Sequence, residues 1–368
     1  MTQLANEHNA INLAQGFPTF EPDSRLLARI SYHLQNGANQ YAPMAGVDEL
    51  RESIAEKVQR LYGRSVDSDT EITVSDGATE GLFSTILAVV RPGDEVIIFD
   101  PAFDSYAPAV ILAGGQPRHL PLRESSARPG QHIDYDQLRD SINERTRLII
   151  INFPHNPSGS ILNRGDLDTL AEIIRDTSIY LLSDEVYEHI VFDGEQHCSV
   201  LTHDELWERS FVVTSFGKTY HATGWKIGYC IAPAALSVEF RRVHQFACYA
   251  VVTPIQHALA DFMREAPNHY AELSSFYQKK RDHFCNLIKD SRFKHKPAAG
   301  TFFQTLDYSG ISNESELSYA QRLTREIGVA AIPISVFCKE EPASRVLRFC
   351  FAKDDAMLEA AAERLCRL

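Results

Sequence analysis

Two lysines eight residues apart, Lys218 and Lys226, stand among small and hydroxyl-bearing residues in the run TSFGKTYHATGWKIG. A lysine amine in such surroundings can attack a carbonyl or carry a proton. Upstream, the apolar run IYLLS ends on Asp184-Glu185-Val186-Tyr187. A carboxylate directly after an apolar stretch is costly unless a cation answers it. Tyr187 lies three residues beyond Asp184, so a helical turn there brings the two to one side. In FPHNPSG, the Asn-Pro and Ser-Gly steps demand a tight turn and fix Asn156. DPAFDSY presents Phe103. SDGAT presents Gly77-Ala78-Thr79 at a helix start, where free N–H groups and a positive dipole end suit a phosphate. One look-alike drops out: Gly217-Lys218-Thr219 resembles the end of a Walker A loop, but Val212 occupies the position of its first glycine. No G-x-G-x-x-G follows any candidate strand, which argues against a dinucleotide-dependent dehydrogenase.

These groups need a frame, and the apolar patterning predicts one. Short apolar runs at 71–74, 95–99, 118–121, 147–152, 179–183, 210–214 and 227–231 alternate with helical stretches such as 79–90 and 165–176. Several runs (LIII, IYLL, FVV) are continuously apolar, as in strands covered on both faces. The expected fold is therefore α/β, a mostly parallel sheet flanked by helices. After residue 260 the texture changes to a long charged helical stretch, 269–290, isolated strand-like runs (GTFFQTL, GVAAIPI, VLRFCFA) and a final amphipathic helix, 354–368. This predicts a large domain over 26–268 and a small α+β domain formed by 1–25 with 269–368. In open parallel sheets ligands bind beyond the carboxyl ends of the strands, which is where all these groups fall.

The 368 residues are ample for a large core, and 36 Lys and Arg against 49 Asp and Glu give a net charge of −13. That balance excludes nucleic-acid binding as the main task, because a polyanion calls for clustered cations. The seven cysteines show no C-x-x-C spacing and sit in apolar segments, so buried reduced thiols and a reducing compartment are expected. The polar start MTQLANEHNAINLAQGF does not read as a signal peptide, and no apolar run approaches membrane-spanning length. A soluble cytoplasmic protein is the expectation, with no membrane partner and no metal site. The segment RESSARPGQ, 123–131, reads as a surface loop.

A phosphate cradle, an aromatic plate, a buried Asp, a Tyr and Asn pair and a Lys at a strand end together suit pyridoxal 5'-phosphate. Its aldehyde forms a Schiff base with a lysine, its pyridine nitrogen needs a carboxylate and its phenolate oxygen accepts hydrogen bonds. The motifs INLAQGFP, NQYAPMAG, SDGATEG, DPAFDSY, FPHNPSG, SDEVYE, SFGKTYHATGWKIGY and LRFCFA, spread over nearly the whole chain, resemble those of the fold-type I, class I aminotransferases. The resemblance is nearest to the branch holding kynurenine/glutamine and bacterial methionine aminotransferases.

The resemblance implies that Lys218 is the Schiff-base lysine, that Asp184 pairs with the pyridine nitrogen and that Tyr187 and Asn156 hold the phenolate oxygen. It implies Phe103 stacked on the ring, and Gly77, Ala78, Thr79, Ser215 and Lys226 on the phosphate. Tyr41 would reach the phosphate of a neighbouring subunit, which implies a homodimer with shared sites. Arg348 would clamp the substrate α-carboxylate, assisted by Asn156 and the backbone of Gly16, with Arg345 the surface residue of that pair. His155 and His221 border these motifs and are read as structural. The implied reaction moves an α-amino group to a 2-oxo acid by a ping-pong route from a neutral apolar or aromatic amino acid. Methionine is favoured, with Phe, Tyr, His and kynurenine also accepted; the second arginine of dicarboxylate-specific relatives is not evident. Only ten residues precede INLAQGFP, fewer than the family's usual partner-wrapping arm. A carbon–sulfur β-lyase using the same Lys and Asp stays open as an alternative. A non-catalytic ligand-binding domain is the more remote one, with no helix-turn-helix extension at either end to support it.

Overall fold

Strands with apolar residues on both faces require cover on both faces, and the computed structural model, which describes residues 1–124 and 130–368, supplies it. Residues 125–129 of the expected surface loop lie outside the described residues. The central sheet comprises β1 (Ile72–Ser75), β2 (Glu95–Asp100), β3 (Gln116–Pro121), β4 (Thr146–Asn152), β5 (Tyr180–Asp184), β6 (Ser210–Ser215) and β7 (Gly228–Ile231). Their spatial order is β1-β7-β6-β5-β4-β2-β3. Successive side chains divide between two apolar clusters, Ile97, Ile149, Leu181 and Val212 on one face and Ile98, Ile150, Leu182 and Val213 on the other. That division follows from the pleat, which sends neighbouring residues to opposite faces.

All strands run parallel except β7, which pairs antiparallel with both β1 and β6. The segment 216–227 between β6 and β7 spends its residues on two short helical turns and no full crossover helix, so the chain folds straight back. The helices include α1 (Asp48–Tyr62), α2 (Gly77–Val89), α3 (Tyr106–Leu112), α4 (His269–Leu287) and α5 (Asp355–Leu365). Helix α2 begins two residues earlier than its apolar period suggests, so Gly77 and Ala78 form its first turn instead of preceding it.

A second, smaller sheet holds β8 (Phe303–Asp307), β9 (Ile332–Pro333) and β10 (Val346–Cys350) in the antiparallel order β8-β10-β9. It is backed by an aromatic-rich cluster that includes Tyr277, Phe284, Phe302, Phe349 and Phe351. The N-terminal residues Ile11 and Asn12 pair in parallel with Val329 and Ala330, which docks the chain start beside this sheet. All seven cysteines are free thiols, but only Cys230, Cys285 and Cys350 are buried and Cys366 is exposed. The expectation of uniformly buried thiols is thus corrected: Cys198, Cys248 and Cys338 lie at the half-covered edges of their segments. Among the described residues no helix is long and apolar enough to cross a membrane, and no group of side chains is arranged to hold a metal.

Helix α1 is fastened under β5 and β7 by a buried ion pair. Lys57 Nζ lies 2.5 Å from Glu188 Oε1 and 2.6 Å from Tyr229 Oη, and Tyr62 Oη donates to Glu188 Oε2 at 2.5 Å. Burial alone would raise the Glu188 carboxyl, but the Lys57 charge and the hydrogen bonds outweigh it and hold the group at about 2. Removing one member leaves an uncompensated buried charge at a cost of about 3–5 kcal/mol. Lys57→Met is therefore expected to lower the melting temperature markedly, with Lys57→Met/Glu188→Leu recovering most of the loss. Because the folded carboxyl lies below its ordinary 4.5, the contribution of the pair is complete above that pH and fades as pH falls toward 2. An unchanged melt for the single variant would contradict this account.

Candidate active site

The carboxyl ends of β4, β5 and β6, the start of α2 and the edge of the small sheet enclose a cavity of about 420 Å³. Every residue expected to touch cofactor or substrate lines it except Tyr41, which is 85% exposed and meets Tyr249 edge-on at 5.5 Å.

At one end stand the first turn of α2 and Lys226. Gly77 has φ +69°, a left-handed conformation that favours glycine, and Lys226 has φ +53°. A Cβ on Gly77 would meet Lys226 Nζ at 3.4 Å, an ordinary contact, so it is the left-handed backbone and not lack of room that calls for glycine beside this ammonium. Ala78, Thr79 and Ser215 line the same part of the cavity. Backbone N–H groups at a helix start beside a cation make an anion cradle.

Asp184 ends β5 and is 3% exposed. Its Oδ2 accepts from Tyr106 Oη at 2.5 Å, its Oδ1 from the Val186 amide at 3.3 Å, and its own carbonyl accepts from Asn152 Nδ2 at 3.0 Å. Burial raises the carboxyl to about 6, opposed by the Tyr106 hydrogen bond, the Val186 N–H and the Lys218 charge. Phe103 lies one helical turn before Tyr106, its ring edge-on to the tyrosine at 5.6 Å. Tyr187 is buried against Phe302 and Phe303, with ring centroids at 5.1 and 5.9 Å, and burial raises its hydroxyl far above the usual tyrosine value.

Lys218 projects from the short turn after β6, and its Nζ donates to the Gly16 carbonyl at 3.1 Å. Burial, aided by the nearby Arg348 and Lys226 charges, lowers its amine to about 8 despite Cys350 and Asp184. Gly16 is glycine for lack of room: a Cβ there would fall 2.6 Å from the Phe303 ring. Arg348, central in β10, crosses toward the large sheet. Its Nη1 donates to Asn156 Oδ1 at 2.7 Å and its Nη2 to the Ala14 carbonyl at 3.1 Å. The guanidinium lies between two rings, 4.0 Å from the Phe303 centroid and 4.9 Å from that of Phe337. Among the described residues its buried Nε has no partner.

His155 does not line the cavity; its ring joins Ser158 Oγ at 2.7 Å and the Pro101 carbonyl at 2.9 Å, tying two loops together. His221 packs edge-on against Phe20 at 4.6 Å and, like Arg345, stays outside the lining. The sequence reading missed Tyr106, Asn152, Phe303 and Phe337. Tyr106 had a signal, since it follows Phe103 by one helical turn within DPAFDSY. The two phenylalanines had none, because they meet Arg348 only through the pairing of β8 with β10 and the return of 334–337.

The donor set fits a phosphorylated pyridine aldehyde. The anion cradle, the buried carboxylate with lone pairs to spare and a lysine amine made partly neutral by burial stand around one cavity. An orphaned guanidinium nitrogen marks where a further anion belongs.

Comparison with known proteins agrees. The family described as aminotransferase class I and II matches residues 8–365. The methionine aminotransferase of Escherichia coli K12 is 50% identical, over 100% of this chain and 94% of its own. The kynurenine–oxoglutarate transaminase of Dictyostelium discoideum is 34% identical over 99% and 92%. Among solved structures, YbdL from Escherichia coli, reported with a methionine aminotransferase function, superposes with a TM-score of 0.97 at 50% identity, covering 100% and 96%. The N-succinyldiaminopimelate aminotransferase from Mycobacterium tuberculosis gives 0.96 at 34% identity, covering 100% and 95%. The fold, the site and these likenesses agree: the chain belongs to the class I and II aminotransferases and is a pyridoxal 5'-phosphate-dependent enzyme.

Proposed function

We propose that this aminotransferase takes its amino group from methionine and, secondarily, from aromatic amino acids including kynurenine, and passes it to a 2-oxo acid. The observation that carries the reading is the apolar wall beside Arg348, formed by Phe303, Ile332, Val336 and Phe337. Among the described residues the cations lining the cavity besides Arg348 are Lys218 and Lys226, both at the cofactor end, so none of these residues offers a second guanidinium to a side-chain carboxylate. The 50% identity with a methionine aminotransferase and the kynurenine-transaminase relatives support the same choice.

When bound, the cofactor supplies an aldehyde that condenses with amines and a ring that takes up the electron pair left at the substrate Cα. Gly77, Ala78, Thr79, Ser215 and Lys226 bind its phosphate. Phe103 would cover one ring face, Tyr187 and Asn156 would hold its phenolate oxygen, and Asp184 would keep the proton on its ring nitrogen. Arg348 grips the substrate α-carboxylate through the N–H groups that Asn156 and Ala14 leave free, with the Gly16 backbone beside it. That grip sets the Cα–H bond facing Lys218. The Lys218 amine would take this proton from Cα and hold it for return, a task suited to an amine at about 8.

The two sheets support a division into domains 26–268 and 1–25 plus 269–368, with Tyr187, Ile190 and Phe192 of the first packing into the cluster behind the small sheet. The exposed rings of Tyr41, Phe246 and Tyr249 support a homodimer in which Tyr41 completes the neighbouring phosphate site.

The reading is tested by the visible absorption of the holoenzyme. Methionine should bleach the band of the bound cofactor and a 2-oxo acid restore it, whereas aspartate at equal concentration should act far more weakly. A band that methionine, phenylalanine, tyrosine and kynurenine all leave unchanged would overturn it. Lys218→Ala should abolish turnover with the melt unchanged. Arg348→Lys should raise the methionine KM by roughly 10–100-fold, because a point charge cannot replace a bidentate fork. In cofactor-free protein, Lys218 should react with an amine-selective reagent with a midpoint near pH 8, well below that of exposed lysines.

A further inference from the structure

We propose that Tyr106 is a positioning residue that sets the proton affinity of Asp184 and, through it, the charge on the ring nitrogen of the bound cofactor. This rests on the proposed role of Asp184 as the group that faces that nitrogen.

Tyr106 opens α3, is 2% exposed and sits in the apolar cluster that includes Leu82, Ile98, Leu182 and Val213. A phenylalanine would fill such a place with no hydroxyl to satisfy, and burying an unanswered hydroxyl costs free energy. The hydroxyl is answered by Asp184 Oδ2 at 2.5 Å, within the range of an O–H donor on an ionised carboxylate. The contact is built from both sides. Residue 106 is tied back to its turn by its amide, which donates to the Phe103 carbonyl at 3.2 Å. Asp184 is tied by Asn152, which holds its carbonyl, and by the Val186 amide on its other oxygen. One turn thus delivers Phe103 to the cavity and Tyr106 to the carboxylate behind it.

Such a donor has a direction. A hydroxyl proton on Oδ2 favours the anion, whereas the apolar surroundings favour the neutral acid. The ring nitrogen competes with Asp184 for one proton, so whatever favours the carboxylate leaves that proton on the ring. Among the influences that lower the Asp184 carboxyl, the Tyr106 hydrogen bond is the foremost, ahead of the Val186 amide and the Lys218 charge. The groups facing the carboxylate are therefore Tyr106, the Val186 N–H and Lys218, with Glu185 acting the other way.

The test uses holoenzyme reconstituted with ring-¹⁵N-labelled pyridoxal phosphate, read by the nitrogen chemical shift across pH together with steady-state kinetics. In the unsubstituted protein the ring nitrogen should stay protonated through neutral pH. In Tyr106→Phe the proton should move from the ring nitrogen toward the more basic Asp184, so that at a given pH the nitrogen signal shifts toward the neutral form, by an amount fitting about one unit of relative proton affinity for one lost charge-assisted hydrogen bond. In this variant kcat should fall about tenfold with the methionine KM little changed. Introducing 3-fluorotyrosine at position 106, a stronger donor in the same volume, should shift the nitrogen the opposite way and keeps the test alive if the phenylalanine variant folds poorly. Nitrogen shifts identical in all three proteins would overturn the proposal. Asp184→Asn separates the two claims: if it neutralises the ring nitrogen while changes at 106 do not, only the role of Tyr106 fails. If it too leaves the nitrogen unchanged, the pairing of Asp184 with the ring fails as well.

Discussion

An ionisable group at the end of an apolar strand is the constraint around which this molecule is arranged. Covering both faces of the central sheet makes the ends of its middle strands dry, and the segment 183–188 places three carboxylates there. Each has a dedicated set of donors. Asp184 has Tyr106 and the Val186 amide. Glu185 accepts from Ser183 Oγ at 2.8 Å and the Val200 amide at 3.1 Å, and meets His197 Nε2 at 2.7 Å. Glu188 has Lys57 and Tyr62. Charges buried without such partners would be neutralised or would unfold the region. The difference among the three is informative: Glu188 has a full cation and is held low, while Asp184 has weaker donors and is pushed up. A structural carboxylate is fully answered, and the one that faces the cavity is left partly in need of a proton.

Arg348 joins the two halves of the site. It grows from the small sheet, yet one of its nitrogens is committed to Asn156, which follows β4 of the large one. The guanidinium is planar of itself, and the Phe303 and Phe337 rings against it help to hold that plane, and so its remaining N–H groups, in one orientation. A lysine would have neither the plane to stack nor the second nitrogen to share.

Much of this was legible in the amino-acid order. All seven strands of the large sheet fall within a few residues of their apolar runs, because burial on both faces leaves a continuous signal. Candidate residues at strand ends can be named because the sheet's geometry sends ligands there, and Asp184, Asn156 and Lys218 do line the cavity. Two kinds of feature were not legible. The reversal of β7 depends on how the loop 216–227 spends its residues, which the apolar pattern of the strand does not record. The rings around Arg348 come together only through long-range pairing. Residue Phe303 lies opposite Cys350, two places from Arg348 in the ladder, and Phe337 arrives from a separate turn that hydrogen-bonds Ala102. A linear motif cannot encode a neighbour created by the fold.

The reversed strand has a mechanical consequence. Lys218 and Lys226 sit on one loop clasped at its base, where the Phe216 amide donates to the Ile227 carbonyl at 3.1 Å and Gly228 pairs with Ser215. The span between the two lysines is therefore set by a closed ladder. The span from Lys218 to Arg348 is bridged by side-chain contacts instead, since the two donate to the Gly16 and Ala14 carbonyls of one short segment. On the roles proposed for these residues, the grip on the substrate meets the grip on the cofactor at Asn156, which accepts from Arg348 and faces the phenolate oxygen. An amino acid held at Arg348 would therefore bear on the phenolate side of the cofactor through Asn156, whereas the phosphate side rests on the clasped loop, as a two-stroke reaction requires of a carrier that must remain bound between strokes.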